Sequence, residues 1–309
     1  MNPASPLIPF SVVVTTKNEA LSIADLLNSL AKQSCKPNEI IIVDAQSRDT
    51  TAEQIMHWGE LHASIKLQLI KAGNVNRSKG RNLGIEAAHN EWIAITDAGC
   101  MADVDWLKEM AIAVGSKREN EVVGGFYLPI TKYIIERCFA WFTATDPQDL
   151  NTKGFLPSSR SIAFTKAAWK KAGKYPEYLT TCEDLVFARR LKSVVGMIIN
   201  PKAIVYWHPP KSFGSFLKAI AGYARGDMEA RYRPHMRRIH TVWLRYFLFI
   251  WVPWLFVLYP LFPIIKFRKR LKRVAKHRFE YYVVLPIVQV VADIGVMLGS
   301  VRGLLGAKR

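Results

Sequence analysis

The segment SVVVTTKNEALSIADLLNSLAKQSCKPNEIIIVDAQS, residues Ser11–Ser47, decides the fold. Its first six residues are almost all β-branched and show no polar alternation, which reads as a buried strand over Ser11–Thr16. Apolar residues at helical spacing follow over Ala20–Gln33, and EIIIVD (Glu39–Asp44) is a second buried strand. The same alternation continues outward. A helix is expected from about Thr50 to Trp58, a strand at Lys66–Ala72, a helix at Ser78–Ala88 and a fourth strand, EWIAITD, at Glu91–Asp97. Continuous apolar strands separated by helices predict an α/β fold with a mostly parallel sheet flanked by helices. Ligands of such sheets sit at the carboxyl ends of the strands, which here carry Thr16-Lys17-Asn18-Glu19, Asp44 and Asp97.

The chain has 309 residues, 50% of them hydrophobic, enough apolar surface to exclude a disordered chain. Its four cysteines (Cys35, Cys100, Cys138, Cys182) lie far apart with no CxxC pair, which argues against a zinc or disulfide framework and fits a reducing compartment. Neither GxGxxG nor GxxxxGK[ST] occurs, so dinucleotide and P-loop chemistry have no local support. The net charge of +18 is unevenly spread: residues 211–309 hold 19 Lys and Arg against 4 Asp and Glu. That third also carries the longest apolar runs. Basic clusters beside apolar segments point to anionic membrane lipids as the partner, and no nucleic acid is expected.

The N-terminus, MNPASPLIPF, has no basic region and no long apolar stretch, so no signal peptide is expected and the first domain is placed on the cytoplasmic face of a membrane. Residues 121–210, less regular, are taken as the second half of the same domain, giving a domain over 1–210. Residues 211–240 read as a basic amphipathic interfacial segment, with Phe213, Phe216, Leu217 and Ile220 on its apolar face. Residues 241–309 read as membrane-associated helices. Tyr246–Ile265 is apolar but interrupted by Pro253, Pro260 and Pro263, and Tyr281–Val301 is apolar with Asp293 inside. Basic residues flank the first run on both sides (Arg231–Arg245 and Lys266–Arg278), which a single straight crossing cannot reconcile with cytoplasmic positive charge. A proline-broken re-entrant hairpin at Tyr246–Ile265, with Tyr281–Val301 either spanning or lying in the interface, two ordinary spans, and a buried soluble hairpin all remain open.

Acids at strand ends suit hydrogen bonds to ribose hydroxyls or base edges, and a divalent metal that neutralises phosphates. Asp97, at the tip of a strand too apolar for a surface edge, is read as functional, and Asp49, in SRDTT, as a helix cap.

The series VVVTTKNEA, EIIIVDAQSRDTT, NRSKGRNLGIEAAHNEWIAITDAGC, GGFY, CEDLVFARRL and VYWH, in that order over about residues 8–225, resembles family 2 inverting glycosyltransferases of the GT-A fold. The resemblance implies a nucleotide-sugar donor, with a UDP-sugar favoured, and a glycan or lipid-linked acceptor. By position it assigns Thr15, Glu19 and Asp44 to the base and ribose, and Arg81 and Asn82 to the segment facing the nucleotide. Arg77 and Lys79 add phosphate contacts or are solvated surface. Asp97 matches the first acid of the family's metal motif, but the sequence continues Ala98-Gly99 and lacks the second carboxylate; His208, in VYWHPP, matches a further ligand of Mn²⁺ or Mg²⁺. Asp184 matches the general base and Glu183 its acceptor-orienting neighbour. Gly124 and Gly125 are expected to admit the sugar or acceptor close to the backbone, with Arg160 and Trp207 as further acceptor contacts and Arg225 facing diphosphate or lipid headgroup. The competing reading is a non-catalytic basic membrane or nucleic-acid binder on a degenerate domain of this type.

Overall fold

The computed structural model describes residues 8–116, 120–152, 154–274 and 278–306. The first seven residues, and residues 275–277 of the basic segment Lys266–Arg278, lie outside the described residues. The chain divides into two compact units, residues 1–128 with 147–207 and residues 129–146 with 208–309.

In the first unit, strands β1 (Phe10–Thr16), β2 (Glu39–Asp44), β3 (Leu67–Lys71), β4 (Trp92–Asp97), β5 (Cys100–Ala102), β6 (Asn120–Pro129), β7 (Ile162–Thr165) and β8 (Gly196–Trp207) form one sheet in the order β3-β2-β1-β4-β7-β6-β8-β5. β1 pairs in parallel with β2 and β4, and β2 with β3. β7 runs antiparallel to both β4 and β6, and β5 antiparallel to β8. The sheet is therefore mixed, parallel in its first four strands as expected.

Alternation along the strands builds two cores. Val12, Val14, Ile40 and Ile42 meet Ile23, Leu26, Leu27 and Leu30 of α1 (Ile23–Ala31) and Ile55 and Trp58 of α2 (Thr51–Leu61). Val13, Ile41, Ile93 and Ile95 share the opposite core with Ile85 of α3 (Arg77–Ala87). On the first face α4 (Trp106–Ser116) adds Trp106, Leu107 and Met110. α3 lies especially close to β1: a Cβ on Gly84 would stand 2.4 Å from Val13 Cγ1, and one on Gly80 2.7 Å from Thr15 Cγ2. Helix α1 starts later than the spacing predicts, because Asn18 takes a left-handed φ of 56° and Glu19–Ser22 form a turn closed by Ser22 N–H to Glu19 O at 3.0 Å.

The second unit is helical. α5 (Ile134–Thr143) belongs to it rather than to the first, because Cys138, Phe139 and Phe142 share a core with Phe216, Phe267, Tyr281 and Leu285. α6 (Lys166–Lys171) and α7 (Glu183–Val194) return to the first unit, where Trp169, Phe187 and Leu191 complete its second core. The remaining helices of the second unit are α8 (Phe213–Glu229), α9 (Arg233–Trp251), α10 (Leu255–Leu258), α11 (Leu261–Lys266), α12 (Arg268–Arg273) and α13 (Arg278–Gly306). Two of the three prolines act as the sequence reading anticipates, with helix interrupted at Val252–Trp254 and again at Tyr259–Pro260; Pro263 instead sits in the first turn of α11, where its missing N–H has no intrahelical acceptor to lose.

The face of α8 expected to lie on a membrane is instead partly consumed inside the unit. Phe216 and Ile220 are buried, and three glycines of α13 bring the two helices together. A Cβ on Gly299 would stand 2.1 Å from Ala221 O, one on Gly303 2.6 Å from Met228 Cβ, and one on Gly295 2.9 Å from Ile220 Cγ2. Small residues four apart let helix backbones approach in this way. Asp293, 2% exposed in the middle of α13, accepts from Arg245 at 2.8 Å and Gln289 at 2.9 Å and pairs with Tyr259 Oη. Among the described residues, Phe279–Gly306 is the helix long and apolar enough to cross a membrane, with a mean hydropathy of 2.0 and half of its most apolar window buried in the protein.

Candidate functional site

Strand register assembles the site. Across the ladders Thr16 stands opposite Asp44 and Thr15 opposite Asp97, so the tips of β1, β2 and β4 present threonines flanked by two acids. The loops beyond them are stitched together. Asn18 N–H donates to Ser47 Oγ at 2.9 Å, Arg48 N–H to Asn18 Oδ1 at 2.8 Å, and Glu19 N–H to Thr51 Oγ1 at 2.8 Å. Asn18 and Gln46 sit in left-handed backbone at φ 56° and 63°, tightening both turns. Asp44, 5% exposed, accepts from the Ser47 amide at 3.2 Å and from its hydroxyl. Asp49 accepts from Thr51 N–H at 3.1 Å and Ala20 N–H at 3.2 Å, so it heads α2 and ties the two loops. Glu19, half-buried, accepts from Ser22 Oγ at 2.6 Å.

Arg81 is the hub. It is 2% exposed, and it donates through Nη2 to Asp97 Oδ1 at 2.9 Å and through Nη1 to Glu183 Oε1 at 2.8 Å. Burial alone pushes Asp97 up, but the guanidiniums of Arg81, Arg160 and Arg77 outweigh it and hold the carboxyl below its ordinary value. Burial drives Glu183 above the usual carboxylate range, against the pull of Arg81 and with the repulsion of Asp184. Arg81 itself stays ionised; burial opposes its charge, and Asp97 and Glu183 more than offset that.

A second chain of contacts runs beside it. Arg160 lies over the rings of Tyr127 at 4.8 Å and Trp207 at 4.6 Å, with Nε 4.0 Å from Asp97 Oδ2. Its Nη1 donates to Ser158 Oγ at 3.3 Å, and Ser158 Oγ donates to Asp184 Oδ2 at 3.0 Å. Asp184 also accepts from Leu185 N–H at 2.8 Å at the head of α7, which is entered through a left-handed Cys182 with φ 65°. Asp97, Glu183, Asp184, Arg81 and Arg160 thus form one linked cluster. Asp184 and Asp97 are half-buried within it, whereas Glu183 is 4% exposed.

Other expected residues have different surroundings. Asn82 spends its amide on the protein: Nδ2 donates to Tyr175 O at 3.0 Å and Glu177 Oε1 at 2.9 Å, and Oδ1 accepts from Trp169 Nε1 at 3.1 Å and Tyr175 N–H at 3.0 Å. At Gly124 and Gly125 the protein itself fills the space a side chain would take, with Ile199 Cδ1 2.6 Å from the first Cβ position and Ser161 Oγ 2.0 Å from the second. Lys79 and Arg77 are exposed on the first turn of α3, where Asn76 Oδ1 caps the Lys79 amide at 2.9 Å. His208 is exposed and belongs to the second unit, as does Arg225, which pairs with Glu229 at 2.6 Å. Sequence reasoning missed Ser158 and Tyr127. Nothing local marks a serine whose carboxylate partner lies 26 residues away.

A divalent cation needs several oxygen or nitrogen ligands at once. Among the described residues no group of three His, Cys, Asp or Glu side chains comes together to hold one. Asp97 Oδ1 already accepts from Arg81, and Gly99 occupies the position of a second acid. The donor set around Asp97 does not by itself fit a metal.

Residues 11–133 match the family model "Glycosyl transferase family 2". The chain is 24% identical over 228 residues to Glycosyltransferase AglE of Haloferax volcanii, covering 72% of this chain and 74% of that one. It is 31% identical over 205 residues to poly(ribitol-phosphate) beta-N-acetylglucosaminyltransferase TarS of Staphylococcus aureus, covering 65% of this chain and about a third, 35%, of that longer protein. Among solved structures, mannosyltransferase PcManGT from Pyrobaculum calidifontis, in complex with GDP-Man and Mn²⁺, aligns with a TM-score of 0.61 at 17% identity over 96% of this chain and 89% of that one. S. aureus TarS 1–349 in complex with UDP-GlcNAc aligns with a TM-score of 0.53 at 21% identity, covering 70% and 66%. The first unit is a GT-A fold, a mixed α/β sheet flanked by helices. The match over residues 11–133 and these relatives make the first unit similar to family 2 glycosyltransferases.

Proposed function

We propose that the protein is a membrane-associated inverting glycosyltransferase that moves a sugar from a nucleotide-diphosphate sugar, with UDP favoured, to a glycan or lipid-linked acceptor. The observation that carries the reading is the division of labour among the clustered acids. Arg81 neutralises Asp97 and Glu183, while Asp184 is held by the hydroxyl of Ser158 and the amide of Leu185. A half-buried carboxylate so positioned and not paired to Arg81 suits a general base.

In the proposed step the acceptor oxygen attacks the anomeric carbon from the side opposite the diphosphate. Its proton passes to Asp184, the new C–O bond forms, and the bond from carbon to the diphosphate oxygen breaks with inversion. Arg160 meets the negative charge growing on the leaving diphosphate, a role supported by its nearness to Asp97 and its two aromatic supports. Asp44 and Thr15 bind the nucleoside, Glu183 orients the acceptor through its link to Arg81, and Glu19 braces the first loop. The UDP preference draws on the TarS complex with UDP-GlcNAc. The membrane association draws on the apolar and basic second unit, with the first unit on the cytoplasmic side.

The test is release of nucleoside diphosphate from a panel of UDP- and GDP-sugars by detergent-purified protein, with Asp184→Asn alongside. Loss of a general base lowers turnover by about 10²–10⁴-fold, and nucleotide affinity should stay within a few-fold. Native turnover in Asp184→Asn would remove the base, and loss of all nucleotide binding in the native protein would remove the transferase.

A further inference from the structure

The second unit exposes an apolar surface of unusual extent. Along α13, Phe279, Val283, Ile287, Ile294, Leu298, Val301 and Leu305 are 39–78% exposed and recur every three, four or seven residues, a single stripe running the length of the helix. The turn of chain from α9 to α11 adds Leu248, Ile250, Trp251, Trp254, Val257 and Leu261, all more than 40% exposed. Soluble proteins rarely leave so much contiguous apolar surface to water.

The neighbour of α13 decides what this surface meets. α8 lies alongside the C-terminal half of α13, with Ile220 at Gly295, Ala221 at Gly299 and Arg225 O at Gly303, so the two helices run parallel. Lys211, Ser215, Lys218, Gly222, Arg225 and Glu229 recur on α8 and the residues before it at intervals of three or four, which places them on one face. Lys218 and Arg225 are exposed, and the buried face of the helix is the one that touches α13. The pair is therefore one amphipathic layer, polar along α8 and apolar along the outer stripe of α13.

A helix of 29 residues is about 43 Å long, enough to cross the roughly 30 Å hydrocarbon core. Crossing would carry the charged stripe of α8 into the hydrocarbon beside it, and charged side chains there are costly and are kept to the protein interior or to water. Lying flat satisfies both faces at once. The basic run Arg268–Arg273 of α12 and the excess of 19 Lys and Arg over 4 Asp and Glu in residues 211–309 supply the complementary charge for anionic headgroups.

We infer that the second unit is a monotopic anchor: α13 lies in one leaflet of an anionic bilayer, the Leu248–Leu261 turn dips into that leaflet, and α8 stays at the water side. This rests on the membrane association proposed above and fixes its topology.

Single cysteines test it, introduced as Lys218→Cys on α8, Lys269→Cys on α12 and Arg302→Cys near the C-terminal end of α13, all exposed positions. The four native cysteines are free and buried, so the unsubstituted protein supplies the background. A membrane-impermeant maleimide is applied to sealed inverted vesicles and to intact spheroplasts of the expressing cells. All three positions should label fully in inverted vesicles and stay unlabelled in spheroplasts. Labelling of Arg302→Cys only from the outer side would overturn the monotopic anchor while leaving membrane association intact. Recovery of the protein in the soluble fraction, with no flotation on vesicles containing phosphatidylserine, would overturn both.

Discussion

Replacing Arg81 by methionine removes the hub of the charge cluster at nearly constant volume. Arg81 and Glu183 are 2% and 4% exposed, so the substitution leaves a carboxylate in the interior without its counter-ion. Breaking a buried ion pair from one side costs about 3–5 kcal/mol. For a unit of this size each kcal/mol lowers the melting temperature by about 2–4 °C, so Arg81→Met should melt roughly 6–20 °C below the native protein. The pH dependence carries a sign. With Arg81 gone, burial lifts the folded-state pKa of Glu183 further above its unfolded value. A raised carboxylate stabilises the fold when protonated and loses that contribution as pH rises through the folded pKa, so the deficit of Arg81→Met should shrink as pH falls from 8 towards 5. Adding Glu183→Gln should recover part of the loss, because the orphaned charge disappears with it. Thermal denaturation of the four proteins in the double-mutant cycle, at several pH values in detergent, measures all of this. A deficit under about 1 kcal/mol, or a double variant weaker than the sum of its singles, would refute an ion chain centred on Arg81.

The remaining expectations use other parts of the molecule. Arg160→Lys keeps the charge but loses the planar group that stacks on Tyr127 and Trp207. Turnover should fall about tenfold or more, for a loss of roughly 1–2 kcal/mol of cation–π and charge positioning, while nucleotide-free melting barely changes; an unchanged turnover number would remove the leaving-group role. Gly299→Leu forces a side chain against Ala221 O, 2.1 Å from the Cβ position, and should cost about 1–3 kcal/mol of stability or more; a native melting curve would refute the close pairing of α8 and α13. Glu39 is pushed up by burial but held down to about 2 by the Ser11 hydroxyl, the His89 amide and Lys66. Its contribution is present above its unfolded pKa and is lost as pH falls towards 2, so Glu39→Gln should flatten the acid limb of the native stability curve.

Much of the sheet was legible because it obeys one strong rule. β-branched runs with no polar alternation have to be covered on both faces, and β2 runs over Glu39–Asp44 as read. The helices between the strands fall within three residues of expectation. The nature of the C-terminal unit was harder to read. Apolar spacing on α8 fits a lipid surface and a protein core equally well, and the glycines of α13, some 80 residues on, are what bring Ile220 into the core. The same limit hid the company of Arg81. Sequence order puts it near Asn82 and Asp97, yet its link to Glu183 spans 102 residues. Asn82 looked like a ligand contact for the converse reason: an amide in a nucleotide-facing motif gives no sign that Tyr175, Trp169 and Glu177 take up its hydrogen bonds. Ile134–Thr143 reads as a helix but carries no mark of which unit claims it; the aromatic stack of Phe139 on Phe216, centroids 4.4 Å apart, does that.

The glycine ladder of α13 also sets a timetable. Gly295, Gly299 and Gly303 are translated some 75–80 residues after the α8 residues they cover. At about 5–20 residues per second, the face of α8 bearing Phe216 and Ile220 waits roughly 4–16 s for its partner. Throughout that interval the nascent chain holds a finished GT-A sheet and an uncovered greasy helix, a state prone to clumping in water.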